Sequence, residues 1–118
     1  MPGDRMRRVN EALREVLSAR IAEGLKDPRI GFVTVTAVDT NPDLRHARVY
    51  VSVLGSDEER ESTLEGLESS RGYLQAAIGR ELRMKHTPAL RFEHDEALER
   101  GMRISRLLDE ADEGGFAS

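Results

Sequence analysis

Hydrophobic residues between positions 5 and 25 recur at intervals of three and four, which is the spacing of an amphipathic helix. The apolar positions are Met6, Val9, Leu13, Val16, Leu17, Ile21 and Leu25. Asp4 is suited to the N-cap, because a carboxylate accepts hydrogen bonds from the first free backbone N–H groups. Gly24 and Pro28 terminate the pattern, since proline disfavours helical geometry at the residue before it. We therefore predict a first helix over residues 5–25.

Two β-branched segments follow this helix. Residues 30–39, IGFVTVTAVD, are rich in Val and Thr and too short for a long helix, which favours a strand. Residues 47–55, ARVYVSVLG, alternate apolar and polar positions, with Ala47, Val49, Val51 and Val53 on one side. The segment between them contains Pro42, which is typical of a turn. The two segments are therefore predicted to form an antiparallel hairpin.

The rest of the chain predicts two helices, a strand and a further helix. A helix starts at Ser56, with acidic residues in the first turn where the helix dipole favours them. Its inner stripe consists of Leu64, Leu67, Leu74, Ile78 and Leu82. Residues 89–95 alternate as a third strand, and residues 96–113 form an additional C-terminal helix. The predicted fold is one α+β domain over residues 1–113, in the order αββααβ with a three-stranded sheet, followed by a disordered tail at residues 114–118.

Gly79 lies within the helical pattern, beside a group of basic residues. A helix breaker at this point predicts a kink between the second and third helices, and a missing side chain lets another polymer approach the backbone closely. Arg80, Arg83, Lys85 and His86 follow the glycine. If Ile78 points inward, an advance of about 100° per residue places Arg80 and Arg83 together on the outer face. Two adjacent guanidinium groups are good phosphate ligands.

Composition and charge narrow the functional classes. The 118 residues carry a net charge of -4 and include no Cys, which excludes disulfides and thiolate metal sites. No apolar stretch approaches the roughly 20 residues that span a bilayer, and the N-terminal residues lack a signal-peptide pattern. We expect a cytoplasmic monomer without a membrane partner. Residues 71–92 hold five basic side chains and one acid, so an acidic chain still presents a locally positive segment.

Catalytic motifs are absent from the sequence. His46, His86 and His94 lack the spacing of an HExxH zinc site, and no GxSxG or phosphate-loop motif occurs. The acidic run DEERE at residues 57–61 lacks the glycine turn of a calcium loop. We therefore predict no catalytic residue, no metal ligand and no cofactor, and a protein that is not an enzyme.

The predicted order, with a small-residue break between two helices, resembles a type II KH domain, a module that binds single-stranded nucleic acid through a GxxG loop. This chain contains no GxxG and has Ala77-Ile78-Gly79 instead. That difference, with the segments KDPRIGFVTVTAV, DLRHARVYVSVLG, RGYLQAAIGRELRMKHTPALRFEHD and GMRISRLLDE, is similar to the bacterial ribosome-binding factor A family. The similarity extends over residues 5–108.

This resemblance implies a non-enzymatic assembly factor that binds 16S rRNA in the free 30S subunit. It further implies a part in late subunit maturation, including 5′-end processing of 16S rRNA, in growth in the cold, and in release aided by maturation GTPases. An Ala-x-Gly kink would replace the GxxG loop. The RNA-binding residues it implies are Ala77, Ile78, Gly79, Arg80, Arg83, Lys85, His86, Gln75, Arg5, Arg7, Arg8 and Arg29. Gln75 and Lys85 stand where the family often has arginine, and the basic start of the first helix is equally consistent with a solvent-exposed helix end.

Two other functions remain open from the sequence. The chain could be a general KH module for single-stranded RNA or DNA, which would bind unrelated oligonucleotides as well. It could also be a protein-interaction adaptor that uses the acidic helix faces of residues 57–70 and 96–113. With two Tyr and three Phe, extensive base stacking is not expected, so contacts to the nucleic-acid backbone should dominate.

Overall fold

Three helices and three strands follow one another in the computed structural model, which describes residues 2–96. Their bounds are Pro2–Ala22 for α1, Val33–Thr40 for β1, His46–Val53 for β2, Asp57–Ser69 for α2, Arg71–Leu82 for α3 and Ala89–His94 for β3. The predicted order αββααβ and the α+β class are confirmed. The final helix and the tail predicted beyond residue 96 lie outside the described residues.

The three strands form one mixed sheet in the order β1-β2-β3. β1 and β2 pair antiparallel, as the hairpin prediction required, from Val33 opposite Val53 to Thr40 opposite Ala47. β3 pairs parallel to β2, because α2 and α3 carry the chain back across the sheet. β2 is therefore the central strand of the described sheet, and β1 and β3 are its edges.

β1 contains a bulge that the sequence pattern did not predict. The pairing with β2 shifts register between Val35 and Ala37. Val35 and Val38 are both buried although they are three residues apart, because the bulge adds Thr36 between them. Strict alternation would have turned Ala37 toward the core in place of Val38.

The hydrophobic core lies between the helices and one face of the sheet. The residues that are completely or almost completely buried are Leu13 and Leu17 of α1, Leu67 of α2, Leu74, Ala77 and Ile78 of α3, Ala47, Val49 and Val51 of β2, and Leu90 of β3. Burying one such Leu, Ile or Val stabilises the fold by roughly 1.5–3 kcal/mol. The predicted inner stripe is confirmed at Leu67, Leu74 and Ile78, whereas Leu64 and Leu82 are partly buried.

α1 starts and ends three residues earlier than predicted. Proline suits the first helical turn, whose N–H groups lack intrahelical partners, so the helix begins at Pro2. Asp4 therefore lies in the first turn and is not the predicted N-cap, although its charge still complements the helix dipole. Gly24 has φ +99° and donates its N–H to the Ile21 carbonyl at 3.0 Å, which directs the chain out of the helix.

The break between α2 and α3 falls at Ser70, which corrects the predicted kink at Gly79. Ser70 has φ -91° and ψ 0° and separates the two helices. Serine side chains compete for backbone hydrogen bonds, so the local sequence ESSRG favours an interruption there. α3 continues through Gly79 to Leu82, because Leu74 and Ile78 are completely buried on one side of an unbroken helix.

Candidate nucleic-acid interface

Four basic side chains lie at the C-terminal end of α3 and in the loop that follows. We call Arg80, Arg83, Lys85 and His86 the basic cluster, and all four are exposed. None of them forms an ion pair with another residue of positions 2–96. The acidic residue among them, Glu81, is held by Arg20 of α1 at 3.2 Å. The cluster therefore presents charge that the described part of the protein does not neutralise.

Arg83 adopts a backbone conformation that normally belongs to glycine. It caps the C-terminus of α3 with φ 50° and ψ 40°, in the left-handed region. An L-residue there costs about 1–2 kcal/mol, and glycine is the common residue at this position of a helix end. Folding alone would therefore favour glycine at position 83.

Gly79 accommodates the loop after α3. A Cβ atom at this position would lie 3.0 Å from the Thr87 hydroxyl oxygen. Gly79 is half-buried, and Thr87 occupies the space beside its Cα. Packing against this loop explains the glycine, and the close approach of RNA at Gly79 stays a prediction. Its missing side chain lets the following loop pack against the helix.

Three further predicted contacts are explained by the fold itself. Ala77 and Ile78 are completely buried in the core, so packing explains their side chains, and their contact with RNA stays a prediction. The Leu90 backbone N–H donates to Gln75 Oε1 at 3.0 Å. This hydrogen bond satisfies a donor on the free side of β3, an edge strand of the described sheet. Gln75 therefore serves the sheet edge, and the basic cluster remains as the exposed part of the predicted site on α3.

The arginines at the start of α1 are separated from the basic cluster. Arg5 and Arg8 are exposed and have no ion-pair partner in the range 2–96, whereas Arg7 pairs with Asp4 at 3.1 Å. The Arg20–Glu81 contact places the other end of α1 beside the end of α3. Arg20 follows Arg8 by twelve positions along the helix, which is about 18 Å. The predicted RNA-binding residues thus form two separate basic regions.

The Arg29 side chain is held by hydrogen bonds and ion pairs to neighbouring residues. Its Nη2 lies 2.6 Å from Asp27 Oδ2 and 2.7 Å from Ser69 Oγ, and its Nε lies 3.0 Å from Asp27 Oδ1. Glu65 lies 3.8 Å from the same guanidinium group. We call Asp27, Arg29 and Ser69 the loop clamp, because they tie the segment after α1 to the end of α2. The predicted RNA contact of Arg29 would require it to leave these partners.

The loop clamp also changes the ionisation of Asp27. The side-chain hydrogen bond from Arg29, together with one from the Arg29 backbone N–H, lowers the pKa of Asp27 from 3.8 to about 2. The same ion pair raises the pKa of Arg29. Both groups are therefore charged at neutral pH, and the pair leaves no net charge for a polyanion.

A cleft lies between the clamped loop and the α2–α3 junction. Its volume is about 780 Å³, with residues 24–29 on one side and Ser69, Ser70 and Tyr73 on the other. We call it the Tyr73 cleft. Tyr73 is 51% exposed. This cleft was not predicted from the sequence, because it depends on how closely two segments about 40 residues apart approach each other. The aromatic residue beside ESSRG was the one local signal.

The start of α2 has the opposite charge. Asp57, Glu58 and Glu59 form its first turn, and Ser56 and Glu59 complete a capping box. This is a structural reason for the acidic run. Among the described residues, no group of three His, Asp or Glu side chains is placed to hold a metal ion, and no helix is long and apolar enough to cross a bilayer.

Comparison with known proteins assigns the chain to a family. The profile described as Ribosome-binding factor A matches residues 5–108. Ribosome-binding factor A of Geobacter metallireducens is 49% identical over 110 residues, which cover 92% of this chain and 93% of that relative.

Solved structures agree with this similarity. The crystal structure of ribosome-binding factor A from Thermus thermophilus has a TM-score of 0.67 and 30% identity, and the match covers 75% of this chain and 94% of that chain. A homology model of the Thermus thermophilus factor, fitted into a cryo-EM map of its 30S complex, gives a TM-score of 0.60 with 33% identity over 72% of this chain and 89% of that one. The chain therefore belongs to the ribosome-binding factor A family.

Proposed function

We propose that this protein binds 16S rRNA in the free 30S ribosomal subunit and assists the late maturation of that subunit. The observation that carries the proposal is the basic cluster, whose charges are unpaired in the described structure and whose Arg83 occupies a position that folding would give to glycine. The Thermus thermophilus relative fitted into a 30S map supports the choice of particle. In this proposal the protein acts by binding and reshaping RNA and catalyses no reaction.

The basic cluster would recognise the RNA backbone. Each arginine offers forked donors to phosphate oxygens, and Lys85 offers a point charge. If Arg80, Arg83 and Lys85 each contact one phosphate, the logarithm of the affinity should fall with the logarithm of the salt concentration at a slope of about -0.7 per contact. The charge of the protein as a whole is negative, so binding depends on which face meets the RNA.

The proposal includes the processes in which the factor would act. Occupation of an immature RNA site would assist processing at the 5′ end of 16S rRNA. It would also support growth in the cold, where misfolded RNA is slow to rearrange. Maturation GTPases would act indirectly, through the same particle, when the factor leaves. We propose that the protein works as a monomer in the cytoplasm.

Sedimentation of the purified protein with three targets tests this function. The targets are salt-washed free 30S subunits, complete 70S ribosomes and naked 16S rRNA. We expect preferential cosedimentation with free 30S subunits and loss of binding as salt rises. Equal binding to unrelated single-stranded oligonucleotides would indicate a general KH module. Retention of a protein partner at high salt after nuclease treatment would indicate an adaptor that uses the acidic start of α2.

A further inference from the structure

The Tyr73 cleft has the dimensions of a ligand site, and a side-chain contact joins its two sides. Its volume of about 780 Å³ lies within the range of roughly 300–1,000 Å³ that small-ligand pockets occupy. The loop clamp joins its two sides through the 2.7 Å contact between Arg29 and Ser69. A site that is already formed loses little conformational entropy when a ligand binds.

Gly66 of α2 helps to set the position of the clamped loop. A Cβ atom at Gly66 would lie 2.7 Å from Ile30 Cγ1 and 3.4 Å from Arg29 Cβ. The loop therefore lies directly on the helix, and it could not keep this position beside a larger residue. The cleft owes its shape to this close packing as well as to the loop clamp.

The lining of the cleft combines a flat aromatic ring, apolar surface and one unpaired cation. Tyr73 is half-exposed, and Leu25 and Pro28 supply apolar atoms. Lys26 is exposed and makes no ion pair within residues 2–96. Asp27 and Arg29 neutralise each other, so the net charge of the lining comes from Lys26.

The outer face of α3 connects the cleft to the basic cluster. Tyr73, Ala76, Arg80 and Arg83 are all exposed and are spaced by three or four residues, which places them along one side of the helix end. About 15 Å of helix axis separates Tyr73 from Arg83. The small side chain of Ala76 does not project between them. A single nucleic-acid strand that contacts the arginines is thus within reach of the cleft.

We propose that the Tyr73 cleft holds one unstacked nucleotide of the bound RNA. Its base stacks on the Tyr73 ring, and its phosphate contacts Lys26. Ser70 lines the cleft and makes no side-chain capping bond to α3, so its hydroxyl would serve as a hydrogen-bonding group for the base edge. Unpaired bases stacked on aromatic side chains are a common basis of RNA recognition. This inference rests on the proposed function, because it assumes that RNA lies along α3.

Substitutions at Tyr73 and Lys26 test the inference in binding to salt-washed free 30S subunits. Tyr73→Leu should weaken binding about tenfold, since stacking is worth about 1–3 kcal/mol per base. Tyr73→Phe should retain the wild-type affinity. Lys26→Gln should weaken binding and make the salt slope shallower by about 0.7, whereas Tyr73→Leu should leave the slope unchanged. Tyr73 is half-exposed, so the variants should fold, and thermal unfolding measured in parallel verifies this.

Nucleoside monophosphates provide a direct probe of the cleft. In NMR titrations of the ¹⁵N-labelled protein, AMP, GMP, CMP or UMP should shift the amide signals of residues 24–29 and of Ser70 and Tyr73. Ribose 5-phosphate, which has no base, should shift them much less, and Tyr73→Leu should remove the difference. Equal shifts with and without a base would overturn the inference.

The two proposals fail in distinguishable ways. If the wild-type protein does not bind free 30S subunits, the proposed function is wrong. If it binds and Tyr73→Leu binds equally well, the function stands and the nucleotide site is wrong. A photocrosslinker at position 73 should join to 16S rRNA, and a crosslink to a ribosomal protein alone would also contradict the nucleotide site.

Discussion

Arg29 and Arg83 are both exposed arginines that follow a helix, yet their surroundings differ in every respect that matters to a polyanion. Arg29 contacts Asp27, Ser69 and Glu65, and these contacts hold a loop to α2. Arg83 has no ion-pair partner in the described residues, and its backbone is in the left-handed region, which is unfavourable for an L-residue. The charge of Arg29 is thus neutralised by neighbouring carboxylates, whereas the charge of Arg83 is not neutralised within residues 2–96, although both side chains are exposed.

The largest effect is expected from reversing the charge of the basic cluster. Arg80→Glu combined with Arg83→Glu should weaken binding to free 30S subunits by about 100-fold or more, because each lost charged hydrogen bond is worth about 1.5–3 kcal/mol. Cosedimentation at near-physiological salt measures this loss. Both side chains are exposed, so circular dichroism should show an unchanged fold.

The double variant Arg5→Glu and Arg8→Glu is the matched control. It makes the same change in charge about 18 Å along α1 from the Arg20–Glu81 contact, which is beyond the Debye length of about 8 Å at physiological salt. We expect it to weaken binding less than tenfold. If both double variants lost the same affinity for free 30S subunits, RNA would use both basic regions. The distinction between the basic cluster and the start of α1 would then be wrong.

The next effect concerns the close packing of the clamped loop. Gly66→Ala should destabilise the protein by about 1–3 kcal/mol, because the new methyl group would overlap Ile30. Gly72→Ala, also in a helix, is the control. A Cβ atom at Gly72 meets no other atom within 4 Å, so alanine should be neutral or stabilising by up to about 1 kcal/mol. Urea unfolding of both variants measures the contrast, and equal stabilities would contradict the packing described for Gly66.

A smaller effect is expected from the ionisation of the loop clamp. The pKa of Asp27 is lowered to about 2 in the folded protein, so the ion pair stabilises the fold above pH 4 and loses this contribution as the pH falls toward 2. Arg29→Gln removes the charged partner. The difference in urea midpoint between wild type and Arg29→Gln should therefore be constant above pH 5 and shrink below pH 4. A difference that does not change with pH would exclude the ion pair as its cause.

The elements of the fold could be predicted because each carries its own pattern in the sequence. The three-four spacing of α1 and the alternation of β2 depend on neighbouring residues alone, so the order αββααβ was predicted correctly. The β1 bulge at Thr36 could not be predicted in the same way, because it is defined by pairing with a second strand. The bounds of α1 moved by three residues for a different reason, because Pro2 suits the first helical turn and Gly24 directs the chain out of the helix.

The candidate site was harder to predict, because its important contacts join distant segments. Gly79 was interpreted as a kink that RNA approaches. In the structure Gly79 lies within the unbroken helix α3, and Thr87 of the following loop packs beside it. Arg29 appeared equally available in the sequence, but it contacts Asp27 and, from distant segments of the chain, Glu65 and Ser69. The exposure of Arg80 and Arg83 followed from the helical spacing alone. The positive φ of Arg83 could not be predicted from that spacing.

Arg83→Gly tests the central claim most directly, because it separates folding from binding. Glycine relieves the left-handed backbone, and the greater freedom of the unfolded chain offsets part of this gain, so the free energy of unfolding should stay equal or rise by up to about 1 kcal/mol. The affinity for free 30S subunits should nevertheless fall about tenfold, since one charged contact is lost. The decisive measurement is the urea-unfolding free energy and the 30S affinity of the same Arg83→Gly preparation. The account predicts undiminished stability with weaker binding, and wild-type affinity would contradict it.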